Sequence, residues 1–368
     1  MSTNTLERSA VAAKPKLSLV DCDIHPNLKS EAELFPFMER RWVEHAQQFG
    51  PNNHQGLAYT LQHPRFQPAV SRADAWPPGG GPPGSDLDFL RSHHLDAHGI
   101  AHGLLMLLRP TGCDERNLDF AAALCAAAND WQRECWVKPE PRLHGGIMIP
   151  QEDPAAAVKE IERCARTGGF AQVNFPPRAL EPPGRRRYWS IYEAAVHHGF
   201  PVGLHVGGVP GHPTTGAGMP TYYLQEHHSN MPGMQAVVSS FVFEGVFERL
   251  PELRIVLIEG GFAWSPALCW RMDRAWRLMR AEVPQVPRPP SEYVRDHVYY
   301  TTQPIEEPDD PAHLGEIIDW IGHERIMFST DYPHWDFDDP RYAFRTKLTE
   351  AQRAAIFGGN ARALYRLP

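Results

Sequence analysis

No stretch of this sequence approaches the roughly 20 consecutive apolar residues that a membrane-spanning helix needs. The first sixteen residues are polar or small and lack the apolar core of a signal peptide, so residues 1–16 are expected to form a disordered leader and no membrane partner is expected. Positive charge is scarce as well. Thirty-six Lys and Arg face 44 Asp and Glu, for a net charge of −8, and Arg185-Arg186-Arg187 is the one basic run. That balance argues against a nucleic-acid partner and leaves the triplet as a solvated loop corner that can attract an anion. The six cysteines (22, 113, 125, 135, 164 and 269) contain no C-x-x-C pair. A disulfide framework and a zinc ribbon are thereby excluded, and reduced thiols of a cytoplasmic protein are expected.

What the chain does contain is alternation. Short apolar runs recur at about 17–23, 103–108, 145–149, 170–175, 201–205, 254–259, 298–301 and 326–331. Several are apolar throughout, as strands buried on both faces should be. Helical patterns separate them: Ser85 to His98 with Ser85 as N-cap, then 117–136, 154–167, 188–198, 234–250, 264–281 and 311–321. Eight such units predict a parallel sheet closed into a (β/α)8 TIM barrel, a single domain over 17–368. Two departures from regularity stand out. The insertion 31–84 opens with a helical pattern over 31–48 broken by Pro36, and closes on Trp76-Pro77-Pro78-Gly79-Gly80-Gly81-Pro82-Pro83-Gly84; it is a candidate lid. The long loop 207–231 carries His212, Tyr222, Tyr223, Glu226, His227 and His228 and would help to build a substrate pocket. Adjacent His227 and His228 diverge by about 100° on a helix, which favours packing or polar roles over a second metal. Near the end, Thr349-Glu350-Ala351-Gln352 opens a helix as a capping box, and Gly358-Gly359 is expected to terminate it.

Barrel chemistry gathers at the C-terminal ends of strands. Asp23 and His25 end the first strand, with Asp21 in phase before them and Cys22 on the opposite face as packing; His205 ends the fifth strand and Asp331 the eighth. A single Asp-x-His is an ordinary strand-end pair, but three strands ending in such residues make a constellation. Two imidazoles and two carboxylates suit one divalent ion per chain, Zn or Mn. Asp331 could also shuttle a proton. Glu259 ends the sixth strand before Gly260-Gly261 and is the candidate general acid/base, or else an acid favoured at the following helix N-terminus. Asn174, Arg178, Tyr222 and His334 are candidate substrate contacts around the mouth, and Arg109 is a further candidate cation.

In order along the chain, Val20-Asp21-Cys22-Asp23-Ile24-His25-Pro26, Gly203-Leu204-His205, Pro251-Glu252-Leu253-Arg254-Ile255 before Glu259-Gly260-Gly261, Ser329-Thr330-Asp331-Tyr332-Pro333-His334 and Phe357-Gly358-Gly359-Asn360-Ala361 resemble the amidohydrolase-related group. This branch of the amidohydrolase superfamily contains aminocarboxymuconate semialdehyde decarboxylase and the resorcylate and carboxyvanillate decarboxylases. The resemblance spans about 17–366. It implies that Asp23 and His25 take the first-strand metal positions, His205 the fifth-strand position and Asp331 the eighth. It further implies a metal-dependent, non-oxidative decarboxylase or hydrolase, often a homodimer, acting on a small aromatic or unsaturated carboxylic acid. Two positions differ from the pattern. The first-strand pair is Asp-x-His where His-x-His is common, and Glu259 stands where the decarboxylases carry histidine. The expected activity is decarboxylation; hydrolysis of a C–N, C–O or C–C bond and a barrel that binds without turnover are the alternatives.

Overall fold

The computed structural model describes residues 18–50, 70–108, 112, 115–176, 179–206 and 215–368. The leader 1–16, the middle of the insertion, the first part of the loop 207–231, Arg109, Cys113, Arg178 and His212 lie outside the described residues.

Eight strands form one sheet: β1 Leu19–Ile24, β2 Ile100–Leu105, β3 Leu143–Met148, β4 Phe170–Asn174, β5 Val202–His205, β6 Ile255–Ile258, β7 Val298–Thr301 and β8 Ile326–Met327. Each pairs in parallel with its neighbour in the chain, from β1 through β8. The last returns to the first. The Cys22 N–H donates to the Phe328 carbonyl at 3.0 Å, and the His25 N–H to the Tyr332 carbonyl at 2.8 Å. The expected (β/α)8 barrel is therefore present.

Two apolar layers hold it. Inside, Leu104, Ala171, Val256 and Met327 come from the even-numbered strands, as the layered interior of such barrels requires, and Val20, Cys22, Met106 and Ile258 pack with them. Tyr365 joins this cluster from the helix Asn360–Tyr365 and donates its hydroxyl to Gln172 at 3.0 Å. Outside, a larger cluster including Ile24, Leu105, Ile147, Val173, Leu204 and Leu257 packs the opposite faces of the strands on the helices. Cys22 is thus packing, as expected.

Helix positions follow the sequence closely where capping chemistry is clear. Pro154–Thr167 and Pro311–Ile321 are helical as expected, each with Pro in its first turn and an Asp N-cap. Other boundaries need correction. Asp86, not Ser85, caps the helix that starts at Leu87, because its carboxylate accepts the Phe89 N–H at 2.9 Å. That helix loosens into a wide turn over Arg91–Asp96. Gly245, with φ +77°, splits the expected 234–250 helix into Asn230–Phe243 and Val246–Arg249. The helices Tyr223–His228 and Pro290–His297 are additional. Gly358-Gly359 does not end the last helix; the chain passes through both in a wide turn, Ala355–Gly359, and resumes as Asn360–Tyr365.

The insertion after β1 begins with a tight helical turn, Glu31–Phe37, followed by the helix Arg40–Phe49. Its described end is tied to the loop after β8. Arg72 N–H donates to the Pro333 carbonyl at 2.9 Å, and Trp335 N–H to the Val70 carbonyl at 2.9 Å.

Gly358 has a packing reason unrelated to helix termination. A Cβ there would lie 2.4 Å from the Ser18 carbonyl oxygen, a backbone atom that cannot move aside independently. Gly358→Ala is expected to lose about 1–3 kcal/mol of stability by overpacking. A thermal melt checks this; an unchanged midpoint would show that the strand–turn contact is slack.

Candidate metal centre

The C-terminal mouth brings six of the expected residues together. His25 Nε2 lies 2.7 Å from Asp331 Oδ1 and 3.3 Å from Asp23 Oδ1. His205 Nε2 lies 3.6 Å from Asp23 Oδ2 and 2.9 Å from Glu259 Oε2. Donor atoms of Asp23, His25, His205 and Glu259 fall within 4.8 Å of one another, and those of His25, Asp331 and His334 form an adjoining group. The site is buried: Asp23 and Asp331 are 0% exposed and His25 4%.

The tautomers follow from the backbone. His25 Nδ1 meets the Met106 carbonyl at 2.8 Å, and His205 Nδ1 meets the Val206 carbonyl at 2.7 Å. A carbonyl only accepts, so each Nδ1 carries a proton, and each ring when neutral turns the lone pair of Nε2 toward the cluster. Those lone pairs face carboxylate oxygens, which also only accept. Both Asp23 oxygens, His205 Nε2 and Asp331 Oδ2 are buried without a hydrogen-bond partner, although Glu259 stands 2.9 Å from the last nitrogen's His205 ring. Buried acceptors converging on one point repel unless a proton or cation lies among them. The donor set of imidazole nitrogen and carboxylate oxygen suits a divalent cation.

Without that cation, protons must take its place, and the titration behaviour reflects this. Burial would push His25 down, but Asp23 and then Asp331 hold it well above 6.5. For His205, burial again opposes and Asp23 with Glu259 prevails, raising the imidazole. Glu259 is raised by burial and by the Asp331 charge, against the pull of His205. Asp331 goes the other way. Burial opposes ionisation, yet His334 and His25 hold its carboxyl well below the usual range.

Two of these acids sit on strained backbone. Glu259 has φ +59° and Asp331 φ +61°, each just past its strand. The left-handed region costs a side-chain-bearing residue roughly 1–2 kcal/mol. The Glu259 N–H is fixed by Thr301 Oγ1 at 3.1 Å.

The remaining candidates divide. His334 belongs to the mouth, its Nδ1 2.6 Å from Asp331 Oδ1. Asn174 is buried at the end of β4, where its amide accepts from Gln172 at 3.0 Å and contacts Met148 sulfur at 3.5 Å. Tyr222 is 69% exposed and is not brought to the cluster. Its neighbour Tyr223 packs beside His227, with ring centroids 5.9 Å apart, and accepts a 2.9 Å hydrogen bond from Trp335 Nε1. Asp21 also departs from expectation. A register shift in the β1–β2 pairing falls between Asp21 and Ile24, and the Asp21 carboxyl group reaches Thr330 and His94 instead of the metal donors.

Sequence reasoning missed one grouping. His227 Nε2 lies 2.9 Å from Asp336 Oδ2, and both come within 4.8 Å of a Glu259 oxygen. No spacing rule links residues from three separate loops. The run Asp331-Tyr332-Pro333-His334-Trp335-Asp336 was the available signal, since it places a second acid beside the first.

A protein-family model described as amidohydrolase matches residues 20–367. Gamma-resorcylate decarboxylase of Polaromonas sp. is 28% identical over 303 residues, covering 77% of this chain and 88% of that protein. The crystal structure of 5-carboxyvanillate decarboxylase from Sphingomonas paucimobilis aligns with a TM-score of 0.69 at 21% identity, over 96% of this chain and all of that one. A dihydroxybenzoic acid decarboxylase from Polaromonas sp., solved with manganese and the inhibitor 2-nitroresorcinol, aligns with a TM-score of 0.66 at 23% identity, over 96% of this chain and 98% of that one. The two structural likenesses carry the barrel.

One half-buried acid near the mouth gives a direct test of its electrostatics. Burial raises Asp338 from 3.8 to about 7; the Ile305 N–H opposes this, and Asp336, Asp331 and Glu307 reinforce it. The folded state therefore holds a proton that the unfolded chain releases above pH 3.8, and stability falls as pH rises from there through about 7. The separation between 3.8 and about 7 corresponds to about 4 kcal/mol at most. Melting of metal-free protein between pH 5 and 8 should show a smaller decline for Asp338→Asn than for wild type. Equal declines would mean that Asp338 is ionised throughout.

Proposed function

The chain belongs to the amidohydrolase family, and from that premise we propose that it is a divalent-metal-dependent, non-oxidative decarboxylase of a small aromatic or unsaturated carboxylic acid. The observation that carries this reading is the convergence of two imidazole Nε2 atoms, whose Nδ1 atoms are bound to carbonyls, with buried carboxylate oxygens that lack partners, in two adjoining groups that share His25. Asp23, His25, His205 and Asp331 would hold a single ion. Their carboxylate content favours manganese over zinc, and the dihydroxybenzoic acid decarboxylase from Polaromonas sp. has manganese bound. A bound ion would supply Lewis acidity toward the substrate's carboxylate or a neighbouring hydroxyl oxygen.

The two mouth acids then separate by environment. Asp331, held well below the usual range by His334 and His25, stays ionised. Glu259, raised by burial and by Asp331, is the group able to carry a proton. It protonates the substrate carbon that bears the carboxylate. The carbon–carbon bond breaks, CO2 departs, and the bonding pair stays on that carbon with the proton. Glu259 is left as carboxylate and is reprotonated from solvent. Burial excludes water that would otherwise compete for the proton. The aromatic lining from Tyr223 and Trp335 suits a flat substrate.

Elemental analysis and CO2 release test the assignment together. Wild type is expected to hold about one Mn or Zn per chain, and His205→Ala to lose it. Glu259→Gln is expected to keep the ion while slowing CO2 release from 2,6-dihydroxybenzoate or 5-carboxyvanillate by about 100-fold or more. Solvent ¹⁸O in the product with no CO2 would replace decarboxylation by hydrolysis. Full activity in Glu259→Gln would move the proton donor elsewhere.

A further inference from the structure

Asp331 occupies a backbone conformation, φ +61°, that a side-chain-bearing residue keeps only where its surroundings impose it. The groups that impose it lie outside the metal cluster. The Thr330 hydroxyl accepts the Tyr332 N–H at 3.2 Å, which closes a small loop of backbone around Asp331. The same hydroxyl donates to Asp21 Oδ2 at 2.6 Å, while the Thr330 N–H donates to Asp21 Oδ1 at 2.9 Å. Thr330 is thereby held twice by one carboxyl group.

Asp21 is held in turn from the other side. His94 Nε2 lies 2.8 Å from Asp21 Oδ2, and His94 Nδ1 has no partner, so the proton belongs on Nε2. The His94 ring lies nearly flat on Tyr332, with centroids 4.5 Å apart at 15°. Asp21 Oδ1 also accepts the Asp23 N–H at 3.3 Å. Asp21, His94, Thr330 and Asp331 are all 0% exposed. Among the described residues no lysine or arginine pairs with Asp21; its one ionisable partner is His94. One buried carboxyl group thus touches the backbone on both sides of the barrel seam, at Asp23 and next to Asp331.

We propose that Asp21, His94 and Thr330 are positioning residues that set the separation of the Asp23 and Asp331 carboxylates and so tune how tightly the centre holds its ion. This inference rests on the reading of Asp23, His25, His205 and Asp331 as the metal-holding set. It makes the wide turn Arg91–Asp96, which carries His94, part of the centre's support. Groups of this kind orient ligands without touching the ion. A merely structural seam would instead lower stability and leave the ion's affinity unchanged.

The test is titration of metal-free protein with Mn(II), with free Mn(II) followed by its electron paramagnetic resonance signal. Thr330→Val keeps the shape and removes the hydroxyl; Thr330→Ser keeps the hydroxyl. Thr330→Val should bind Mn(II) about 10- to 100-fold more weakly and alter the spectrum of the bound ion, whereas Thr330→Ser should stay within about threefold of wild type. If Thr330→Val melts at lower temperature but binds as wild type does, the inference is overturned. Should Thr330→Val fail to fold, His94→Gln, which keeps a donor toward Asp21, is compared with His94→Phe, which keeps only the ring stacking. The same ordering is expected, with the Phe variant weaker, and equal affinities overturn the inference. Failure of wild type to bind Mn(II) or Zn(II) would instead strike the metal-centre reading itself.

Discussion

The structure depends on a conflict among acceptors. Two imidazoles, each already donating its Nδ1 proton to a carbonyl, turn their Nε2 atoms toward carboxyl groups crowded into the same buried space. In water such groups would turn away from one another. Here they cannot, because each sits at the end of a strand whose direction the barrel fixes. The closed sheet, the apolar interior and the helices outside it all serve to hold mutually repelling groups within a few ångströms. The conflict is resolved by positive charge, and a divalent cation resolves it at neutral pH better than protons do.

The same crowding differentiates the acids. Asp331 has two histidines against it and ionises readily, whereas Glu259 has burial and the Asp331 charge against ionisation. Similar carboxyl groups on similar left-handed backbone thus acquire opposite tendencies. In the proposed reaction Glu259 takes the place of the histidine found at the sixth strand of related decarboxylases, since a carboxyl group made reluctant to ionise can donate a proton.

Much of this was legible in the sequence. Uniformly apolar runs between helical patterns gave the barrel, and strand-end residues gave Asp23, His25, His205, Glu259 and Asp331, because both signals are local. What escaped depends on events across the fold. The role of Asp21 turns on a register shift in β1, which no alternation rule foresees. The pairing of His227 with Asp336 joins two loops 109 residues apart. Gly358-Gly359 looked like a helix stop; Gly358 instead leaves room for the Ser18 carbonyl that packs against the turn. Asp86 took the capping role from Ser85 by one residue, a choice that flanking geometry makes. Tyr222 and Tyr223 offered equal chemistry, and only the orientation of a short helix decided between them.

The seam between the first and last strands has a consequence for how the molecule is assembled. The Asp21–Thr330 contact joins residues 309 positions apart. Closing so long a loop carries a large entropic penalty before any contact rewards it. Strands β1 to β7 can stack in order through near neighbours, but the proposed metal-holding set is complete only when the last strand meets the first. On this topology the centre is expected to be among the final features to form on folding and an early place for the native structure to open. An ion held by the proposed set would span that seam as a clasp, linking its residence time to the kinetic lifetime of the folded barrel.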